Sequence, residues 1–276
     1  MRVPHPRLTG PGLCAMEILV LGSGTSHGVP VIGCHCPVCL SSNPKNRRFR
    51  ASILVRNANQ AILIDTPPEL RLQAITFGVH RVDAVLFTHT HADHLFGLDD
   101  LRRFNDILLQ DIPVYGDAAI QADIRRAYDY IFRQTQSGGG KPCITLHDVL
   151  PEFTLCGLHI QSFYVLHGQL PVLAYRFRHA DPGASPASFA YVTDVSYIPP
   201  ESMEQLRNLD LLFLDAVQLH PHPTHVGLNQ ALEVIEELQP RRAYLTHLSH
   251  YFDHDAVNAQ LPSHVQLAYD GLTIAL

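Results

Sequence analysis

No stretch of about 18 consecutive apolar residues occurs in the chain, so nothing in it is built to cross a bilayer as a helix. Residues 1–15, MRVPHPRLTGPGLCA, lack the unbroken apolar core of a secretory signal. Cysteine is sparse: there are six, with Cys34, Cys36 and Cys39 clustered and Cys14, Cys143 and Cys156 scattered. That is not the framework of a small disulfide-stapled secreted domain. These absences point to a reducing, cytoplasmic setting without a membrane partner. Charge is thin as well. Only 17% of residues are charged and the formal net charge is −6, so nothing suggests a general polyanion binder, with room left for a local basic patch. No repeat of fixed period and no interdomain linker is visible. With 46% hydrophobic residues, 276 positions fit one large α/β domain with ample core. The expectation is a single domain over 16–276 that starts on the strand-like run Glu17 to Leu21, behind a disordered or over-called extension at 1–15.

What the chain does hold is histidine in a specific place. Thr88-His89-Thr90-His91-Ala92-Asp93-His94 directly follows the apolar run Ala84 to Phe87, which reads as a buried strand, and precedes a helical pattern over Leu95 to Phe104. If strand geometry persists, His89 and His91 point the same way, because strand side chains repeat every two residues. Asp93 and His94 then project from the first turn of the helix. Imidazole and carboxylate together suit zinc, manganese or iron. Upstream, Cys34, Cys36 and Cys39 in C-x-C-x2-C spacing can hold one tetrahedral zinc but leave a fourth corner for a distant imidazole; His35 between them reads as a bystander.

The remaining elements are read in order. Gly22 to Gly28 is a glycine-rich turn that permits positive φ or close backbone approach, and no helix follows it as a dinucleotide fingerprint would require. Residues 41–50, with Arg47, Arg48 and Arg50, read as a solvated basic loop. Ala51 to Val55 and Ala61 to Ile64 form a strand pair ending at Asp65, placed either to orient a ligand imidazole or to cap the helix that runs to about Phe77. Ile112 to Tyr115 reads as a strand, Ala118 to Phe132 as one helix, and Ser137 to Gly140 as a flexible loop. Strands follow at Leu158 to Val165, Val172 to Phe177, Phe189 to Thr193 and Leu211 to Leu214, with a Pro/Gly/Ser-rich loop over Asp181 to Ser188. A one-faced helix covers Leu228 to Leu238, and Tyr244 to Thr246 is a last buried strand. Two facing sheets with helices outside are expected.

His167, Asp194 and His247 each sit just past a predicted strand end. Singly they are unremarkable. Together, the order H-x-H-x-D-H, then His, Asp and His, resembles the metallo-β-lactamase superfamily of αβ/βα four-layer hydrolases over essentially Met16 to Leu276. Gly22-Ser23-Gly24-Thr25-Ser26-His27-Gly28-Val29-Pro30, the cysteine cluster and Thr246-His247-Leu248-Ser249-His250 make it similar to the branch of the phosphoribosyl cyclic phosphodiesterase of phosphonate breakdown. The resemblance implies that His89, His91 and His167 hold one divalent cation, that Asp93, His94 and His247 hold a second, and that Asp194 bridges the two, with zinc or manganese as the metal. It implies that His250 completes a structural zinc with Cys34, Cys36 and Cys39. It further implies a general acid just ahead of the 228–238 helix, His225 first and His222 second.

The implied reaction is hydrolysis of a small or cyclic phosphate diester by a hydroxide shared between two cations. No long RNA-binding arm is visible, so large nucleic acid is not expected as a partner; a homodimer is the assembly the family suggests. Two alternatives stay open. One is hydrolysis of another bond, such as a thioester or lactone; the other is a non-enzymatic carrier resembling pyrroloquinoline quinone biosynthesis protein B, whose metal motif is degraded where this one is intact.

Overall fold

Strands buried on both faces need apolar residues at every position, and Ile62, Leu63 and Ile64, or Ala84, Val85 and Leu86, are wholly enclosed in this way. The computed structural model describes residues 16–133 and 140–276. The readings for residues 1–15 and 137–139 lie outside the described residues. Six strands come from the first half: β1 (Glu17–Gly22), β2 (Ser52–Asn57), β3 (Gln60–Ile64), β4 (Ala84–Leu86), β5 (Ile112–Gly116) and β6 (Ile144–Asp148). Then follow β7 (Glu152–Leu155), β8 (Leu158–His167), β9 (Leu170–His179), β10 (Ser188–Val192), β11 (Leu211–Asp215), β12 (Ala243–Thr246), β13 (Val265–Leu267) and β14 (Thr273–Ala275). They make two seven-stranded mixed sheets, ordered β14-β1-β2-β3-β4-β5-β6 and β13-β12-β11-β10-β9-β8-β7.

Side-chain alternation separates the layers. In the second sheet Phe189, Tyr191, Leu211, Phe213 and Tyr244 belong to the core shared with the first sheet. Their neighbours Ala190, Val192, Leu212, Leu214, Ala243 and Leu245 belong to an outer core with Ala231, Ile235 and Leu238 of the 228–238 helix. On the other side Leu70, Leu101, Phe104, Ile120 and Ile124 pack helices against the first sheet. The result is the four-layer αβ/βα sandwich expected. No helix among the described residues is long and apolar enough to cross a membrane.

Several local expectations are corrected. The pattern over Leu95 to Phe104 is not one helix: a short helix at Ala92–Leu95 stops, a 3₁₀ turn covers Leu98–Asp100, and a second helix runs Leu101–Leu108. The break is tertiary in origin. Thr66 clamps the segment, receiving the Gly97 amide at 2.8 Å and donating its own amide to His94 at 2.7 Å and its hydroxyl to Leu95 at 3.0 Å. Likewise Ala118 to Phe132 divides at Tyr128, whose hydroxyl is held by the Leu95 carbonyl at 3.1 Å. The basic loop is not solvated throughout. Arg48 is 2% exposed and donates to the carbonyls of Ser249 and Phe252, while Arg50 pairs with Glu69. The glycine turn makes its close approach to the chain itself: a Cβ on Gly22 would lie 1.9 Å from the Arg50 carbonyl oxygen.

A Cβ on Gly97 would lie 2.0 Å from the Pro67 carbonyl oxygen. Gly97→Ala is therefore expected to destabilise the metal-free protein by about 1–3 kcal/mol, read from the urea midpoint. A midpoint equal to that of the parent would contradict the clamp.

Candidate metal centre

Parallel strands bring their C-terminal ends to one edge, and this edge collects the site. β3 and β4 run parallel, as do β10, β11 and β12. Three non-glycine residues within two positions of these strand ends have left-handed backbones: Asp65 (φ 61), Asp194 (φ 53) and His247 (φ 58). Such conformations are uncommon outside glycine and cluster where function over-determines the backbone.

The buried side chains converge closely. Asp194 approaches His94 Nε2 at 3.2 Å and His247 Nε2 at 3.4 Å, and His89 Nε2 at 4.0 Å. Asp93 lies 3.3 Å from His94 Nε2 and 3.7 Å from His247 Nε2. Each imidazole is turned by its other nitrogen. His94 Nδ1 donates to Asp65 at 2.8 Å, His167 Nδ1 donates to the Thr224 carbonyl at 2.6 Å, and His89 Nδ1 meets the Thr88 hydroxyl at 3.0 Å. Asp65 is itself fixed by the Thr88 amide and hydroxyl, both at 2.8 Å, while Glu69 stands at the N-cap of the following helix, so the Asp65 carboxylate holds His94 and is not the cap. Atoms able to ligate a cation fall into compact groups of His89, His94 and Asp194; of Asp93, His94 and His247; of His167, Asp194 and His225; and of Asp215, His225 and His247. His91 is exposed and joins by ring contact, 4.6 Å from His89 and 5.2 Å from His167, without entering these groups.

The donor set fits divalent cations. The Nε2 atoms of His89, His94 and His247 are buried without a hydrogen-bond partner, and buried polar atoms are seldom left so. Each of the three lies within 4.0 Å of an Asp93 or Asp194 carboxylate oxygen. The cysteine cluster fits zinc on separate grounds. His250 Nδ1 lies 3.2, 3.7 and 3.5 Å from the sulfurs of Cys34, Cys36 and Cys39. Tetrahedral zinc with ordinary bond lengths separates sulfur from nitrogen by roughly 3.5 Å. His35 is exposed, as a bystander should be.

His225, 9% exposed, donates from Nδ1 to Asp215 at 2.7 Å, and its ring lies 4.3 Å from His167 and 5.0 Å from His247. His222 is farther out, its ring 5.2 Å from His225 and its Nδ1 3.3 Å from the Thr224 hydroxyl. Asp215 escaped the sequence reading. Its signal is the same as that of Asp65 and Asp194, an acidic residue at the end of an apolar strand, Leu211 to Leu214.

Electrostatics match. At His247 burial, which disfavours charge, is outweighed by Asp194, Asp215 and Asp93, so the metal-free imidazole is pushed up to about 10. At Asp194 burial is outweighed in turn by His247 and His94, and its carboxyl is held well below the usual range. Burial and the neighbouring His94 charge push His89 down. A metal-free His247 thus stabilises the fold fully below its unfolded value of about 6.5, and that contribution is lost as pH rises through about 10.

Comparison with known proteins follows the same line. The family model described as "Beta-lactamase superfamily domain" matches residues 60–248. A solved structure described as a new diphosphatase from the PhnP family is 40% identical, with a TM-score of 0.86, covering 96% of this chain and 98% of that one. Zinc-bound PqqB from Methylobacterium extorquens, 18% identical with a TM-score of 0.78 over 94% and 100% of the chains, shares the fold. A curated octanoyltransferase from Porphyromonas gingivalis is 36% identical over 262 residues, covering 93% of this chain; the chain spans about half, 51%, of that protein's length.

Two outcomes are expected. The melting temperature of metal-stripped protein should fall between pH 6.5 and 10 while loaded protein stays flat over that window; a metal-stripped melting temperature that rises there contradicts the charge assignment. Cys36→Ala should weaken cation retention at the His/Asp cluster about 10-fold or more, because His247 and His250 share one short segment. Unchanged retention, measured by equilibrium dialysis, contradicts that link.

Proposed function

The chain belongs to the β-lactamase superfamily, as a metal-dependent hydrolase of the branch that holds the PhnP-family diphosphatase, and on that premise we propose that it cleaves a small or cyclic phosphate diester with two divalent cations, zinc or manganese. His89, His91 and His167 would hold the first cation, and Asp93, His94 and His247 the second. Asp194 would face both. Cys34, Cys36, Cys39 and His250 would hold a structural zinc. What catalytic cations supply when bound is positive charge against a developing phosphoryl charge, and a water made acidic enough to attack near neutral pH.

The protein's own residues do the rest. Asp65 and the Thr224 carbonyl keep His94 and His167 facing inward, so the reacting group meets a preset wall of imidazole. His225 delivers a proton to the departing oxygen, a contribution of about 10²–10⁴-fold for a positioned acid; His222 is the second choice, set back from the cluster. The placement of His225 carries the reading. An alkoxide leaving from phosphorus needs a proton, and a buried imidazole at the rim of the ligand cluster supports its delivery. A thiolate leaving from an acyl group needs none.

A second reading, hydrolysis of an acyl bond such as a thioester, draws support from the octanoyltransferase relative. Bis(p-nitrophenyl) phosphate and an octanoyl thioester, offered side by side to manganese- or zinc-loaded protein, separate the two. The expected result is metal-dependent diester turnover that drops about 10²-fold or more in His94→Ala. Thioester turnover without diester turnover would replace the leading reading with the second.

A further inference from the structure

A groove of about 460 Å³ runs between the helices Leu70–Thr76 and Leu101–Leu108. That volume lies within the ~300–1,000 Å³ of sites that hold small molecules. None of the candidate metal ligands lines it. Its floor is buried and apolar, made by Leu70, Val79 and Phe104. Its walls, Ile75 and Ile107, are 65% and 43% exposed, and nothing among the described residues covers them. One exposed isoleucine needs no explanation, but two facing each other over an apolar floor mark a place for an apolar occupant.

Charge at the mouth runs against that of the chain. The formal net charge is −6, yet Arg71, Arg102 and Arg103 line the groove against a single carboxylate, Asp100. Arg102 reaches the Gly140 carbonyl at 3.1 Å and Asp99 at 3.4 Å, and Arg103 reaches Asp106 at 3.5 Å. Exposed pairs of this kind are weak and exchange readily with another anion. Arg71 feels Asp100 only at longer range, with no ion pair of its own among the described residues.

We propose that this groove binds a single-chain anionic amphiphile, a free medium-chain carboxylate whose tail lies between Ile75 and Ile107 and whose head meets the arginine rim. A guanidinium offers its N–H fork to both oxygens of a carboxylate. An alkyl tail removes from water the isoleucine walls that otherwise stay wet. A neutral alcohol gains only the second of these contributions, and an alkylammonium meets repulsion at the mouth. A bilayer surface needs an apolar face that projects from the protein, whereas this one is recessed. The site is separate from the metal centre and stands whether or not the diester reading holds.

The test titrates full-length, metal-reloaded protein by calorimetry with hexanoate, octanoate, decanoate, octanol and octylammonium. Octanoate should saturate at one per chain, with affinity rising about 10-fold for each two methylenes of tail. Octanol and octylammonium should bind about 3-fold or more less tightly than octanoate. Ile75→Asp and Ile107→Asp, both at exposed positions, should each weaken octanoate about 10-fold or more. Arg71→Gln should weaken octanoate about 3-fold or more and leave octanol unchanged. Should an aspartate variant fail to fold, Arg71→Gln still decides.

Octanoate binding that survives all three substitutions would place the carboxylate elsewhere, at the cation cluster first of all, and would overturn the proposal. So would affinity indifferent to tail length, octylammonium binding as tightly as octanoate, or no carboxylate binding. In the last case sedimentation and vesicle pelleting identify the occupant that replaces it. A dimer split by Ile75→Asp makes the groove an interface between copies of the chain. Retention on phosphatidylglycerol vesicles, lost in Ile75→Asp, makes it a membrane contact.

Discussion

A carboxylate enclosed in protein must be neutralised where it sits, and that constraint organises this molecule. Asp194 is 2% exposed, with the Nε2 atoms of His94 and His247 at 3.2 and 3.4 Å. Taking such a charge from water costs several kcal/mol unless opposite charge replaces the solvent. Around this centre each sheet contributes the same device, a strand-end aspartate behind an imidazole. Asp65 stands behind His94 at the end of β3, and Asp215 stands behind His225 and beside His247 at the end of β11. The left-handed backbones at Asp65, Asp194 and His247 are local strain of the kind that clusters at functional sites.

The cysteine cluster belongs to the same design. His250 is three residues from His247, and the Arg48 guanidinium gathers the Ser249 and Phe252 carbonyls from beneath. The Leu248 carbonyl accepts from the Thr25 amide at 3.1 Å. Three separate constraints therefore fix one short loop that follows His247 of the candidate cluster. Rigid support of this kind explains how a site built from loop residues keeps its spacing.

Much of this was legible in the sequence because two signals are local. Alternating or continuous apolar runs marked the inner strands, and ligand-type residues stood at their ends in a distinctive order. What was illegible depends on partners distant in the chain. Gly97 breaks its helix because Thr66 and Pro67 meet it, and nothing within the helical pattern announces that. Arg48 looked solvated because its carbonyl partners lie some 200 residues downstream. Asp215 was passed over since an acidic residue ends many strands, and only the approach of His225 and His247 distinguishes this one. The edge strands β6, β7, β13 and β14 are short and only partly buried, so their apolar pattern is weak.

The central claim, that buried carboxylates and imidazoles at the strand ends hold a pair of cations beside a separate zinc, is tested most directly by counting metal. Elemental analysis of purified, reloaded protein and of Asp194→Ala should give three cations per chain in the parent and one in the variant, that one being zinc. A single cation in both proteins would contradict the account.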